Sequence, residues 1–272
     1  MVQIHSPLFF FSSVLNKFIR PLIFQETVKH KNAHRFWEID VLRGIAIIMM
    51  ITYHFLFDLT FLKNYQIPLH SLPFLLFLYP IGTLFLLLVG ISLTLSYNKA
   101  QEALTQKQTQ WRFIRRGLFI FGAGMLVTLA TWIYLPKGFI IFGVLHCIGI
   151  SIILAYPLLR YRVSNLVLGV SFIVIGVFLQ TIVVGFPWFL WLGFIPENFY
   201  TLDYFPLLPW FGVILIGIYL GNTLYPNRKR RYQIKDYSKH LVVRGLCFLG
   251  RHSLIIYLVH QLILVGIIYL FL

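Results

Sequence analysis

The chain has 272 residues, of which 59% are hydrophobic and 11% are charged, and its mean hydropathy is +0.81. Soluble domains are about half apolar and about a quarter charged, so this composition excludes a soluble globular protein and indicates an all-α, polytopic integral membrane protein. The formal charge of +15 would indicate a nucleic-acid partner in a soluble protein. Here we expect no nucleic acid, because the basic residues concentrate in loops between apolar stretches.

Residues 1–36 hold a short apolar run that polar residues and a proline interrupt. The run has no basic region ahead of it and no small-residue cleavage site, so we do not predict a signal peptide. We expect an N-terminal cytoplasmic segment that lies at the membrane interface. We predict that a single transmembrane domain over residues 37–272 follows it.

The rest of the chain contains apolar stretches long enough to cross a bilayer, which takes about 20 residues of helix. Loops that carry the charged residues separate these stretches. We predict seven spanning segments, at residues 41–62, 72–96, 113–134, 139–159, 163–185, 205–224 and 249–270.

Lysine and arginine occupy alternate loops, which determines the predicted orientation. With the N-terminus in the cytoplasm, the cytoplasmic side holds 21 of the 23 basic residues, and only Lys63 and Lys137 fall outside. We therefore predict a multi-pass protein of the cell (plasma) membrane, with its N-terminus in and its C-terminus out.

The first spanning segment carries three ionisable residues, Arg43, His54 and Asp58. Arg43 and His54 are eleven residues apart, which puts them on one helix face about 16 Å apart along the axis. Asp58 is one turn beyond His54, close enough for a carboxylate to hold an imidazole in one tautomer. Because ionisable groups in a spanning helix usually face a protein interior or a wet cavity, this polar stripe indicates a functional site.

Four motifs resemble, in order, those of a known family. EIDVLRGIAIIMMITYHFLFDL opens the series, and FGVLHCIGISIIL, DYFPLLPWFGVILIGIYLG and LGRHSLIIYLVHQLIL follow, over about residues 36–272. They resemble the prokaryotic branch of the heparan-α-glucosaminide N-acetyltransferase catalytic-domain family. The spacing of Arg43 and His54 is also similar to the Arg-x10-His signature of the wider membrane-embedded acyltransferase group.

The resemblance implies a membrane-embedded acyltransferase. Such an enzyme would move an acetyl group from cytoplasmic acetyl-CoA to an amine or hydroxyl of an envelope or extracytoplasmic sugar. In the lysosomal enzyme an asparagine stands at the position of His54, and a histidine follows in the next outer loop. His70 is the positional match to that histidine. The acceptor, the acyl chain and the oligomeric state stay open.

Acyl transfer from a thioester needs a base for the acceptor and donors for the developing oxyanion. We predict His54 as the base, Asp58 as its orienting carboxylate, and His70 as the alternative catalytic histidine. The competing interpretation is structural: His54 and Asp58 would hold helices together, and His70 would be a solvated loop residue.

The donor is expected at the cytoplasmic edge, where Arg43, Arg251 and His252 lie in the predicted topology. A planar guanidinium suits the phosphates of coenzyme A. The alternative for Arg43 is an arginine that reaches from a helix end to the interface. The RKRR run at residues 228–231 would attract the same anionic donor, or would contact anionic lipid.

Polar residues at mid-depth and in the outer loops are the predicted acyl-channel and acceptor-binding set. In the last segment three of them fall at i, i+4 and i+7, on one helix face. The alternatives are helix–helix hydrogen bonds and helix caps. The set consists of His146, Asp203, Ser253, Tyr257, His260 and Gln261.

Other chemistries find less support in the sequence. Neither a dinucleotide nor a P-loop motif is present, and no cysteine or histidine cluster has zinc spacing, so we expect no metal. The main alternative function is a transporter or a proton or solute pathway that uses the same polar stripe. A weaker one makes His54, His146 and His260 axial ligands of a haem.

Overall fold

A computed structural model describes residues 35–68, 71–135 and 137–271, and this part of the chain is mostly helical. Two-residue strands, β1 (Val183–Val184) and β2 (Ile195–Pro196), pair in parallel outside the helices. The helices, in chain order, are α1 (Trp37–Lys63), α2 (Leu72–Gln101), α3 (Gln106–Tyr134), α4 (Val144–Ala155), α5 (Val163–Leu179), α6 (Leu207–Leu224), α7 (Leu241–Arg251) and α8 (Ser253–Phe271).

Five helices, α1, α2, α3, α6 and α8, are long and apolar enough to cross a membrane. The all-α class predicted from the sequence is confirmed for the described residues. Helices α4 and α5 are apolar but shorter, and a 3-10 turn, Tyr156–Leu158, extends α4. The number of seven spans and the orientation of the termini stay predictions.

The predicted fourth segment, 139–159, begins as a helix only at Val144. The stretch before it is bound to the loop that precedes α6 instead: Leu202 N donates to the Gly138 carbonyl over 3.0 Å, and Phe205 N donates to the Phe142 carbonyl over 3.0 Å. An apolar sequence does not distinguish such a loop from a helix end.

The predicted last segment, 249–270, corresponds to α8 within a few residues, but its first three residues belong to α7. The chain breaks at His252, whose backbone has non-helical angles (φ −101°, ψ 16°), and α7 and α8 lie on either side of this break. Apolar length alone does not reveal the break, because Gly250, Arg251 and Ser253 are all tolerated near helix ends.

Helix α6 lies at the centre of the main core. Its Ile214, Leu215 and Ile218 side chains are completely buried, and α6 packs against α2 and α5. Helix α1 packs against α2, α7 and α8. These last contacts position the candidate site, because α1 carries the polar stripe.

Candidate active site

Two histidines meet where α1 packs on α8. The ring centroids of His54 and His260 are 4.8 Å apart, and the rings are nearly perpendicular at 82°. His54 Nδ1 lies 2.8 Å from the Met50 carbonyl oxygen, and His260 Nδ1 lies 2.6 Å from the Tyr257 carbonyl oxygen. A carbonyl only accepts hydrogen bonds, so each Nδ1 carries the proton and each neutral ring keeps a lone pair on Nε2.

The Nε2 atom of His260 is buried and has no hydrogen-bond partner among the residues that the structure describes. The whole side chain is only 7% exposed. Buried polar atoms are normally paired, so an orphan of this kind requires an explanation such as a catalytic role or a bound group. The pair therefore presents a basic nitrogen inside the helix bundle.

A second polar pair, Asp58 and Gln261, lies next to the histidines along the same two helices. Gln261 Nε2 donates to Asp58 Oδ1 over 2.7 Å. Asp58 is 2% exposed, and Asp58 Oδ2 and Gln261 Oε1 are buried without a partner in the described part of the chain. Both free atoms are acceptors, so they match a ligand that offers N–H or O–H groups.

The expected hydrogen bond between Asp58 and His54 is not formed. The Met50 carbonyl orients His54, and Asp58 binds Gln261 instead. A carbonyl four residues back is always available to a helical histidine, whereas the i+4 carboxylate found a partner on the neighbouring helix. The backbone thus does the orienting that we predicted for Asp58.

A second cluster forms around the buried carboxylate of Asp40, near the start of α1. Arg43 Nη1 lies 3.4 Å from Asp40 Oδ1, and Arg251 Nε lies 3.2 Å from Asp40 Oδ2. Arg43 Nη2 also donates to the Ser92 hydroxyl on α2. One carboxylate therefore holds two arginines, both predicted donor ligands, side by side.

Close packing of α7 on α1 brings Arg251 to this cluster. A Cβ at Gly44 would overlap the Leu246 carbonyl oxygen, and a Cβ at Gly250 would overlap the Asp40 carbonyl oxygen. Only glycine permits this approach at either position. The third predicted donor-site residue, His252, is exposed and contacts the preceding helix α7: its Nδ1 donates to the Phe248 carbonyl over 2.9 Å.

Two arginines of the RKRR run form ion pairs. Arg230 makes a bidentate contact with Glu38 at 2.7 and 2.8 Å, and the Tyr225 hydroxyl donates to the same carboxylate over 3.1 Å. This pairing raises the pKa of Arg230, and burial raises the pKa of Tyr225. Arg228 pairs with Glu102 at 2.7 Å. These arginines fix the loop to α1 and to the end of α2.

A small cavity of about 10 Å³, room for about one water molecule, lies near the start of α4. His146, Asp203 and Tyr257, all predicted acceptor-site residues, line it. Asp203 Oδ2 accepts a hydrogen bond from Val144 N over 3.1 Å and so caps α4. Burial raises the pKa of Asp203 to about 6, although the hydrogen bond from Val144 opposes the shift.

His146 differs from the histidine pair because both of its ring nitrogens have partners. Gly143 N donates to His146 Nδ1 over 3.2 Å, so Nδ1 is the acceptor and the neutral ring carries its proton on Nε2. That Nε2 lies 3.4 Å from the Thr128 hydroxyl, which itself donates to the Ile140 carbonyl over 2.7 Å. These contacts support the structural interpretation of His146.

The remaining predicted residues are placed as follows. Ser253 opens α8, one turn before Tyr257. His70, the alternative catalytic histidine, lies outside the described residues. Sequence reasoning missed Asp40, although its i, i+3 spacing to Arg43 on one helix is a detectable signal. It also missed Ser92, for which the sequence offers no signal.

Comparison with known families identifies the family to which most of the chain is similar. The family model described as "Heparan-alpha-glucosaminide N-acetyltransferase, catalytic" matches residues 35–262, which is most of the chain. A search of curated proteins finds no match. A search of solved structures also finds none.

Proposed function

This chain belongs to the heparan-α-glucosaminide N-acetyltransferase catalytic family, and on that premise we propose that it is a membrane-embedded acetyltransferase. The donor is cytoplasmic acetyl-CoA, and the acceptor is an amine or hydroxyl of an extracytoplasmic sugar. The apolar helices support the membrane location, and we place the enzyme in the plasma membrane. The observation that carries the proposal is the contact between His54 and His260, in which His260 Nε2 is buried and has no partner among the described residues.

The histidine pair supplies the base that the reaction needs. His54 Nε2 takes the proton from the acceptor N–H or O–H while the acceptor atom attacks the thioester carbonyl carbon. The new C–N or C–O bond forms, the C–S bond breaks, and coenzyme A leaves as a thiolate. Two imidazoles in contact resist a double positive charge. The pair therefore carries one proton at a time, which it releases to the thiolate or to water.

The acceptor-only atoms of Asp58 and Gln261 would hold the substrate beside this base. A sugar amine or hydroxyl offers the N–H and O–H donors that Asp58 Oδ2 and Gln261 Oε1 lack. A sugar whose N–H or O–H groups pair with these buried oxygens is selected, since an analogue without those groups leaves the oxygens without a hydrogen bond. Asp58 is thus a substrate-positioning group in this proposal.

Arg43 and Arg251 would bind the phosphates of the donor. The Arg251 side chain is 47% exposed and that of Arg43 is 23% exposed, so both side chains are partly accessible at the protein surface. Asp40 lies between the two guanidinium groups and holds them in place, and its single negative charge does not neutralise both of them. Arg43 and His54 are about 16 Å apart along α1, a span suited to a donor with a long arm between its phosphates and its thioester.

The first test is binding of acetyl-CoA to the detergent-purified chain by isothermal titration calorimetry. We expect micromolar binding that weakens about tenfold in Arg43→Gln, because a charge-assisted phosphate contact is lost. Lys137→Gln removes the same charge from an exposed loop and should leave the affinity unchanged. Transfer is then followed with radiolabelled acetyl-CoA and glucosamine as the probe acceptor.

Two outcomes would overturn the proposal. One is a folded protein that binds no acyl-CoA, which would favour a transporter that uses the same polar stripe. The other is equal donor affinity in the wild type and in Arg43→Gln, which would remove the donor site from α1.

A further inference from the structure

Helix α7 combines a short length with an exposed apolar face. It has 11 residues, which is about 16 Å of helix and too short to cross a bilayer. Its outer face is apolar: Leu241 is 82% exposed, Val242 is 74% exposed and Phe248 is 60% exposed. A soluble surface would not leave three such neighbouring side chains uncovered without a partner.

The opposite face of α7 is fixed to the protein. Cys247 and Gly250 are buried, Gly250 packs against the backbone of Asp40, and Cys247 Sγ lies 3.5 Å from the Trp37 carbonyl oxygen. The helix is therefore held rigidly against the first turns of α1. Its apolar face is a fixed part of the molecular surface.

The position of α7 along the chain sets its depth. Only His252 separates it from α8, which is apolar enough to cross a membrane. The other side of α7 continues into the loop that Arg230 ties to Glu38. The helix thus lies at the level where a spanning helix ends, which is the lipid–water interface.

The charge around α7 is strongly positive. Residues 225–251 contain eight lysines and arginines and one acid, Asp236. Arg228, Arg230 and Arg251 form ion pairs with acidic residues. Arg244 is exposed and has no ion-pair partner in the described part of the chain. Arg244 lies beside the apolar face, so its guanidinium can reach the headgroup layer while the helix lies parallel to the membrane surface.

We propose that α7 is an interfacial helix that binds anionic phospholipids. Leu241, Val242 and Phe248 enter the acyl-chain layer, and Arg244, together with Lys239 just before the helix, binds the headgroup phosphates. An apolar face beside basic residues matches an anionic lipid surface, in which acyl chains lie beneath negatively charged headgroups. This assignment does not depend on the acyltransferase reaction.

Two measurements test it on the full-length chain. The first is the depth of a spin label at Leu241→Cys in phosphatidylglycerol-containing nanodiscs, read as accessibility to oxygen against a water-soluble nickel chelate. Gln233→Cys in the exposed loop is the water reference, and Leu262→Cys on the exposed face of α8 is the acyl-chain reference. The unsubstituted chain controls for labelling of the two native, buried cysteines.

The second measurement is lipid binding to the detergent-purified chain by native mass spectrometry, with phosphatidylglycerol and phosphatidylcholine of the same acyl chains. Loss of one basic residue at an anionic surface predicts about fivefold weaker phosphatidylglycerol binding in Arg244→Gln. Phosphatidylcholine binding should be unchanged. Lys137→Gln, which removes an equal charge elsewhere, should change phosphatidylglycerol binding less than twofold.

Support requires a label at Leu241 that resembles Leu262 together with selective weakening in Arg244→Gln. A label as water-accessible as Gln233 would overturn the proposal and leave the face to a protein partner or a second copy. Equal weakening in Arg244→Gln and Lys137→Gln would also overturn it, since the effect would then reflect net charge alone.

Discussion

Single histidines in this protein take different chemical roles because of the backbone atoms around them. His54 and His260 donate from Nδ1 to carbonyls of their own helices, whereas His146 accepts at Nδ1 from the amide of Gly143. The first arrangement leaves a lone pair on Nε2, and the second uses both nitrogens for structure. The tautomer, which the neighbouring backbone sets, thus separates a candidate base from a structural histidine.

The variant His54→Gln tests the base directly. Glutamine preserves size and polarity but has no nitrogen that takes up a proton near neutral pH, so we expect acetyl transfer to fall about 100-fold or more. Acetyl-CoA affinity, for which we propose the distant arginine cluster, should not change. Wild-type transfer rates in a correctly folded His54→Gln protein would contradict the assignment.

Asp203 gives a prediction about stability and pH. Its pKa is raised from 3.8 to about 6 by burial, so the folded protein holds this proton more tightly than the unfolded chain does. The contribution of the Asp203 proton to folding stability is therefore greatest below about pH 4. The free energy of unfolding falls by roughly 2 kcal/mol as the pH rises to about 6. Thermal unfolding between these pH values measures the slope.

Asp203→Asn is the matched variant for that slope. The amide oxygen can still accept the Val144 N–H that caps α4, but the side chain no longer titrates. We expect a flatter dependence of the unfolding temperature on pH in this range. An unchanged slope would assign the pH dependence to another group.

At the scale of elements, the contact between α1 and α7 depends on glycine. In Gly250→Ala the new methyl group meets the carbonyl oxygen of Asp40, so α7 must shift and the ion pair between Arg251 and Asp40 must lengthen. We expect acetyl-CoA affinity to fall about tenfold and the unfolding temperature to drop by several degrees, as for a strained helix contact.

Gly245→Ala is the control on the same helix. Nothing lies within 4 Å of a Cβ built there, and alanine favours a helix over glycine by roughly 0.5–1 kcal/mol. This variant should be at least as stable as the wild type and should bind acetyl-CoA normally. Equal losses in both variants would show that α7 is sensitive to any substitution and not to this contact.

At the scale of the whole molecule, the orientation predicted from the basic loops remains to be tested. Cysteine substitutions at Arg231 and Lys137 lie on opposite sides in the predicted topology. In intact cells a membrane-impermeant maleimide should label Lys137→Cys, and Arg231→Cys should react only after permeabilisation. The reverse labelling pattern would show that the protein has the opposite orientation. The arginine cluster would then lie on the side away from cytoplasmic acetyl-CoA.

The helical, apolar character of the chain could be predicted from the sequence, because apolar length is a local property. The polar stripe on α1 could also be predicted, since a single helix fixes the spacing of Arg43 and His54. The partners across helices could not, because the register of α1 on α8 depends on packing. That register decides that Asp58 meets Gln261 and that His54 meets His260.

Both polar clusters lie on the single continuous helix α1: the Asp40 cluster near its start and His54 with Asp58 nearer its end. A shift or tilt of α1 therefore moves both clusters together. If the occupied donor site favours one position of α1, it must change acceptor affinity by the same factor as the acceptor changes donor affinity. The two substrates would then report on each other across the bilayer, with no diffusible signal between them.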